Sequence, residues 1–342
     1  MKQNVWGMSS SAMQEFLTGA GFPKFRAKQL QDYLYRRGVY NFDDMLQLPQ
    51  NLRAWLSENA VLEKAETIRA QESSSGDTKK LLLRLSDGAL IETVLMRHDY
   101  GNSVCVSTQV GCAMGCAFCA STQNGLERNL TAEEMLAELY AFHEDTEIHS
   151  MVLMGSGEPL QNYENVIRFM HLAHNPDWLN LSYRAMTLST CGIVPGIDRL
   201  ADEDIPVTLA ISLHAPNDEI RHRLLPVSRQ YAIEDVVAAA RRYFEKTGRR
   251  VTFEYILIDG VNVSDENAIE LCRLLGDLPC HVNLIPVNGT EHIRLFAPSG
   301  NRCERFRKIL ETAGKSATLR RKMGDEIQAA CGQLKKRHVE NE

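Results

Sequence analysis

From about residue 103 onward, short apolar runs alternate with longer amphipathic stretches. The runs are SVCVSTQV, SMVLMGSG, RAMTLSTC, VTLAISLH, VTFEYILI and HVNLIPVN. Each has strand length and is rich in β-branched residues, and each is followed by a stretch of helical periodicity. Six such units predict parallel strands with crossover helices, because parallel neighbours need a long connection. Nearly every run ends in small or polar residues: Gly155-Ser156-Gly157-Glu158, Ser189-Thr190, Ser212-Leu213-His214 and Asn288. In βα barrels the carboxyl ends of the strands carry the chemistry, while the layers beneath carry stability. The pattern therefore predicts an α/β fold, a partial (β/α)6 TIM-like barrel open enough for a large substrate. No dinucleotide-binding glycine fingerprint follows the first run.

The pattern before residue 103 differs. Residues 1–70 read as a small helical accessory domain. SSSAMQEFL offers a serine cap, GFPKFRAKQLQDYLYRRG places Pro23 near a helix start and Gly38 past its end, and another helical piece follows Pro49. Phe25, Leu30, Tyr33 and Leu34 approximate one face, and Lys24, Arg26, Lys28, Arg36 and Arg37 crowd the others. Residues 71–100 form a connection: ESSSGDTKK is a polar linker or turn, and KLLLRLSDGALIETVLM is a hairpin around Ser86-Asp87-Gly88. Residues 101–342 make up the barrel, with SATL as a last strand and a cysteine-containing loop after it.

Composition narrows the class. The chain has 342 residues, 44% apolar and 24% charged, ordinary for a globular protein and unlike a disordered or fibrous one. Its start lacks the apolar core of a signal peptide, which makes the cytoplasm the default compartment. A net charge of −6 argues against a wholly electrostatic nucleic-acid binder but leaves room for local basic patches. Nine cysteines, an odd number without a secretion signal, read as reduced thiols, some of them ligands or catalytic groups.

Three of those thiols are concentrated in VGCAMGCAFCA. Cys112, Cys116 and Cys119 form C-x3-C-x2-C directly after the first barrel run. Structural zinc sites close with four ligands, commonly in paired C-x2-C spacing; here there is one triad and no nearby histidine. Iron–sulfur clusters are also held by thiolates, usually four. With three, one iron stays open to a small molecule such as S-adenosylmethionine, whose C–S bond is broken when an electron reaches the sulfonium. Three packing cysteines, or a zinc module without catalysis, are the competing readings.

The residues around the triad carry a resemblance. CAMGCAFC after CVSTQVG looks like the radical S-adenosylmethionine superfamily. ASTQNGLERNLT, MGSGEPLQNY, STCGIVP, SLHAPNDEIRHRLLPV, HVNLIPVN and AACGQL resemble the RlmN/Cfr-type RNA adenine methyltransferases within it. MGSGEPL and VNLIPVN are more similar to the RlmN branch, which methylates carbon 2, than to the Cfr branch, which methylates carbon 8 of the same rRNA adenine. An aromatic C–H carbon has no lone pair to attack a sulfonium, so a radical route is the physical solution, with the cofactors supplying the reactivity.

The resemblance implies a [4Fe-4S] cluster on Cys112, Cys116 and Cys119. It implies two molecules of S-adenosylmethionine per turnover, with contacts from Gly157, Glu158, Ser189, Ser212, Leu213, His214 and Asn288. Cys331 in AACGQL matches the cysteine that carries the methyl group as S-methylcysteine. Cys105 matches the resolving cysteine, which forms a transient disulfide with Cys331 that must be reduced before the next turnover. Glu92 in LIETV matches a proton acceptor. Without the resemblance Cys105 reads as a packing residue, Cys331 as a tail thiol and Glu92 as a water-facing edge residue. Cys191, Cys272, Cys280 and Cys303 read as structural, Cys191 lying nearest the active face. The implied partners are 23S rRNA at the peptidyl transferase centre, tRNA at the adenine 3′ of the anticodon, and an electron donor such as flavodoxin or ferredoxin, acting on a monomer. Arg128, Arg249, Arg250, Arg320, Arg321, Lys322, Lys335, Lys336 and Arg337 are the candidates for a phosphate-binding rim.

Overall fold

Sequence order alone organises the main sheet. A computed structural model describes residues 2–143, 146–289 and 294–334; Lys335, Lys336 and Arg337 lie outside the described residues. Ten strands form one sheet in chain order. They are β1 (Glu66–Glu72), β2 (Thr78–Arg84), β3 (Leu90–His98), β4 (Gly101–Cys105) and β5 (Ser150–Leu153), then β6 (Met186–Thr190), β7 (Thr208–Ser212), β8 (Val251–Leu257), β9 (Cys280–Pro286) and β10 (Ser316–Leu319). From β4 to β10 neighbours run parallel, and β1 to β4 run antiparallel. The two edges, β1 and β10, do not pair, so the barrel is open. All six expected runs supply parallel strands, and SATL supplies a seventh.

The reading of residues 66–70 as helical is corrected. β1 is exposed along most of its length, so it lacks the alternation that marks a half-buried strand. What holds it is partner chemistry: Glu66 opposes Arg84 and Glu72 opposes Lys79 across the β1–β2 ladder, and Arg84 reaches Glu66 at 2.7 Å. ESSSGDTKK is the turn of this hairpin, closed by a Ser73 N–H to Thr78 carbonyl bond. The expected hairpin around Ser86-Asp87-Gly88 joins β2 to β3. The run SVCVSTQV divides: β4 ends at Cys105, and Gln109–Gly111 turns away to pair with Leu126–Asn129.

Alternation sorts the parallel strands into two faces. The outer residues Val104, Met151, Leu153, Leu188, Leu209, Ile211, Phe253, Tyr255, Val282 and Leu284 are buried in one continuous core, each contributing about 1.5–3 kcal/mol of transfer free energy. Helices α4 (Ala132–His143), α5 (Tyr163–His174), α6 (Val194–Leu200), α7 (Ile233–Thr247), α8 (Asp265–Leu275) and α9 (Gly300–Thr312) contribute buried apolar residues to that core. The inner positions are unlike them. Ser103, Thr187, Thr208, Thr252, Glu254, Asn283 and Thr318 line a wide chamber. An apolar outside and a polar inside are what an open, water-filled half-barrel requires.

The N-terminal helices form as read. Ser9 caps α1 (Ser10–Gly19) by accepting from the Ala12 N–H, α2 spans Arg26–Tyr35, and α3 (Gln50–Asn59) starts after Pro49. Leu30, Tyr33 and Leu34 are buried, whereas Phe25 is exposed. The basic residues are partly spent on docking: Arg36 donates to the carbonyls of Pro176 and Asp177. Trp6 is the main anchor. It is 1% exposed, its Nε1–H donates to the Glu133 carbonyl on α4 at 3.1 Å, and its ring meets Tyr140 edge-on at 5.1 Å. Among the described residues no helix is long and apolar enough to cross a membrane.

Trp6→Ala is expected to lower the unfolding free energy by about 3–5 kcal/mol, read from the midpoint and slope of a urea titration.

Candidate active site

The carboxyl ends of the parallel strands meet the three-cysteine loop. Cys112, Cys116 and Cys119 all line one cavity of about 150 Å³, together with Gly157, Glu158, Ser189, Ser212, His214 and Cys331. Burial, reinforced by the neighbouring thiols, pushes Cys112 up to about 11 and Cys116 well above the ordinary thiol range. Three thiolates in so dry a place need compensating positive charge, which iron supplies while displacing their protons. Among the described residues no three His, Cys, Asp or Glu side chains are set to grip a single metal ion. Three thiols facing one cavity are the kind of donor set that an iron–sulfur cluster takes. Cys191 also lines the cavity, but its sulfur is engaged 3.2 Å from the Met114 thioether.

The GSGEP segment is laced to the chain just after β4. Thr108 and Gln109 N–H groups donate to the Ser156 carbonyl, and the Glu158 N–H donates to Gln109 Oε1. Gly157 has φ +107°, and a Cβ there would come within 2.6 Å of Gln109 Cβ, so only glycine allows this approach. Glu158 is buried; its oxygens accept from the backbone N–H groups of Leu160 at 3.0 Å and Cys191 at 2.7 Å. Burial pushes this carboxyl up, against those bonds. The Cys191 thiol and the Thr190 hydroxyl also hydrogen-bond to it, and the residue still borders the cavity.

His214 occupies a left-handed backbone position, φ +59°. Its Nδ1 accepts from the Ile256 N–H at 3.0 Å, which assigns the ring proton to Nε2. Burial, with Arg221 adding repulsion, pushes it down to about 3, so the imidazole is neutral. Phe118 meets it edge-on at 4.8 Å. Leu213 is fully buried in the core and is absent from the cavity lining. Asn288 lines the adjoining cavity; its Nδ2 donates to the Cys331 carbonyl at 3.1 Å, and its buried Oδ1 has no protein partner among the described residues.

That adjoining cavity, about 60 Å³, holds Cys105, Cys119 and Cys331. Cys105 and Cys331 are both free thiols. Burial pushes the Cys105 thiol up, and the charge of Cys331 adds to it. Cys331 borders both cavities. Its loop is clasped from several sides. The Ala120 N–H donates to the Gly332 carbonyl at 2.7 Å, Ser121 Oγ–H donates to the Leu334 carbonyl at 2.6 Å, and Lys80 donates to the Gln328 carbonyl at 3.1 Å.

Glu92 is not a water-facing edge residue. It sits on interior strand β3, 3% exposed, with Lys80 Nζ 3.3 Å away and equally buried. Register puts it on the same sheet face as Val94 and Cys105, yet it does not border either cavity.

Of the basic candidates, Arg320, Arg321 and Lys322 line the Cys331 cavity. Arg320 is half-buried and its guanidinium is held up chiefly by Cys331, then Glu254 and Cys105, against the cost of burial. Arg128, Arg249 and Arg250 are corrected. Arg128 is engaged by Asp87 and Glu134. Arg249 donates to the Val207 carbonyl, and neither it nor Arg250 lines the cysteine cavities or the wide chamber beside them. Sequence reading missed Lys80 and Glu254. Burial pushes Glu254 up to about 7, opposed by Arg320 and an Asn283 hydrogen bond; the signal was a lone acid at an inward position of a strand otherwise free of charge.

Comparison with known proteins agrees with this geometry. The radical SAM superfamily model matches residues 106–272, and the ribosomal RNA large subunit methyltransferase N-terminal domain model matches residues 3–62. A protein of Symbiobacterium thermophilum named "Probable dual-specificity RNA methyltransferase RlmN" is 50% identical, covering 98% of this chain and 92% of that protein. One of the same name from Desulforamulus reducens is 47% identical, covering 98% and 97%. The crystal structure of a radical SAM methyltransferase from Sphaerobacter thermophilus superposes with a TM-score of 0.93 at 46% identity, covering 97% of this chain and 99% of that one. The cofactors of this superfamily are a [4Fe-4S] cluster and S-adenosylmethionine, and the chain belongs to the RlmN family of radical SAM RNA methyltransferases.

Proposed function

We propose that this enzyme methylates carbon 2 of adenine in 23S rRNA, at the peptidyl transferase centre, and in tRNA, at the adenine 3′ of the anticodon. The single observation that carries the reading is the position of Cys331, bordering the three-thiol cavity on one side and the Cys105 cavity on the other. A sulfur that is first loaded and later resolved needs access to both.

Cys112, Cys116 and Cys119 hold the cluster, and Gly157, Glu158, Ser189, Ser212, Leu213, His214 and Asn288 hold S-adenosylmethionine, Leu213 through its backbone. When bound, the cluster supplies the electron that splits S-adenosylmethionine to a 5′-deoxyadenosyl radical. The chain's own residues do the rest. Cys331 gives up its proton and takes a methyl group from one S-adenosylmethionine on sulfur; a C–H bond of that methyl then breaks, its hydrogen leaving with the 5′-deoxyadenosyl group, and the carbon bonds to carbon 2 of the base, which sheds one electron and the carbon-2 proton. Cys105 attacks the Cys331 sulfur, forming the S–S bond as the S–C bond breaks and the methylated base leaves. A flavodoxin- or ferredoxin-type donor and a thiol reductant restore the starting state. Glu92, ion-paired with Lys80, accepts the proton lost from the base. The neutral His214 adds no charge beside the sulfonium.

The helical unit within residues 1–70, ending before β1, serves as an accessory RNA contact, residues 71–100 connect it, and residues 101–342 carry the chemistry. The enzyme acts in the cytoplasm as a monomer. Carbon 8 of the same rRNA adenine is the alternative target.

Digesting RNA from cells with and without the gene, and locating the methyl group by mass spectrometry, is expected to give 2-methyladenosine in both RNAs; 8-methyladenosine alone contradicts the assignment. Cys105→Ala is expected to accumulate protein covalently joined to RNA, seen as a gel-shifted band, while normal yields of free methylated RNA refute its resolving role. Glu92→Gln removes one partner of a buried ion pair, a change costing about 3–5 kcal/mol. Its melting temperature must therefore be measured beside its turnover. The base assignment requires turnover to fall in protein that is still folded.

A further inference from the structure

The tip of the β3–β4 hairpin carries an aromatic pair that the chemistry above does not use. His98 pairs with Gly101, leaving Asp99 and Tyr100 as a two-residue turn. Tyr100 is 80% exposed. Its ring lies flat on His98, with centroids 4.7 Å apart and planes 7° from parallel. The turn is fixed in place. Gly101 has φ +125°, and a Cβ there would strike the His149 ring at 2.6 Å. Asn102 then bonds to His149 Nδ1 at 3.1 Å, Thr146 Oγ1 at 2.7 Å and the Glu147 carbonyl at 2.9 Å. A large exposed ring thus stands on an anchored turn.

Below the tip opens the wide chamber of about 730 Å³, lined by His98 and Tyr100 and by the cations Arg97, Arg184, Arg320 and Arg321. The acids on its wall are Asp77, Asp99 and Glu254. Arg97 is paired with Glu72 at 2.7 Å, whereas Arg184 is exposed and Arg321 is 83% exposed and 3.9 Å from Asp77. The chamber shares Met96, Met154, Arg320 and Met323 with the Cys105–Cys331 cavity. Burial, with Arg320 nearby, holds His98 below the ordinary imidazole range, which keeps its ring uncharged and suited to stacking.

Resting on the RNA-methylation reading, we infer that Tyr100, backed by His98, is a stacking platform for the nucleobase next to the target adenine, with Arg184 and Arg321 taking its phosphates. Single-stranded RNA is gripped in this way: a π-face for the base and guanidinium groups for the backbone. An adenine drawn into the Cys331 cavity loses its stacking neighbour on one side, and the platform replaces it. The ring is already stacked on His98, so part of the ordering cost of binding is met beforehand.

The test uses the reconstituted full-length enzyme with two probes, an unmodified tRNA transcript and a transcribed 23S rRNA fragment. Tyr100→Ala is expected to raise KM for RNA about tenfold, with kcat changed less than about twofold, and Tyr100→Phe is expected to restore the wild-type KM. Arg184→Ala is expected to lower the slope of log affinity against log salt by about one phosphate contact. An unchanged KM in Tyr100→Ala overturns the platform, as does a Tyr100→Phe variant equally impaired. Filter binding of the same RNAs separates the two hypotheses. If the wild-type enzyme methylates neither RNA, the functional reading fails, and a tenfold affinity loss in Tyr100→Ala still supports the platform while equal affinity rejects it.

Discussion

The clasp between the Cys331 loop and the three-cysteine loop is the constraint on which the rest depends. Cys331 lies far from the triad in sequence, and its loop is held there by the Ala120–Gly332 and Ser121–Leu334 hydrogen bonds beside Cys119 and by the Asn288 amide from beyond β9. Each contributes about 0.5–1.5 kcal/mol net, yet together they fix the Cys331 sulfur at a wall shared by two cavities. Held loosely, that sulfur would reach neither partner reliably, because a displacement of about 1 Å can cost a hundredfold in rate.

The open barrel makes the clasp possible. Because β1 and β10 leave the sheet unclosed, the chain beyond β10 is able to fold back over the active end instead of sealing a cylinder. The antiparallel extension β1–β3 widens the same sheet and supplies the buried Lys80–Glu92 pair, with Lys80 also holding the Gln328 carbonyl of the clasped loop. Charge follows depth. Thiols and carboxyls are driven toward neutrality by burial, and Arg320 is the cation that stands among them.

Much of this was legible in the sequence, for identifiable reasons. The parallel strands announce themselves because their outer faces are buried and apolar, and their carboxyl ends because polar residues interrupt the runs. The cysteine triad is local, so spacing alone marks it. Other features are set by pairing across the chain. β1 has no apolar alternation and exists through its ladder with β2. Glu92 looks like an edge residue until β2 covers it and delivers Lys80. Arg128 reads as a free cation until Asp87 and Glu134 meet it. Long-range partners leave no periodic trace.

The central claim is that three protein thiols leave one iron of the cluster for S-adenosylmethionine. Mössbauer spectroscopy of protein reconstituted with the iron-57 isotope, before and after adding S-adenosylmethionine, tests it most directly. A single iron whose isomer shift moves toward higher coordination, the others unchanged, is the result this account predicts. A spectrum indifferent to S-adenosylmethionine, with every iron already in thiolate coordination, would contradict it.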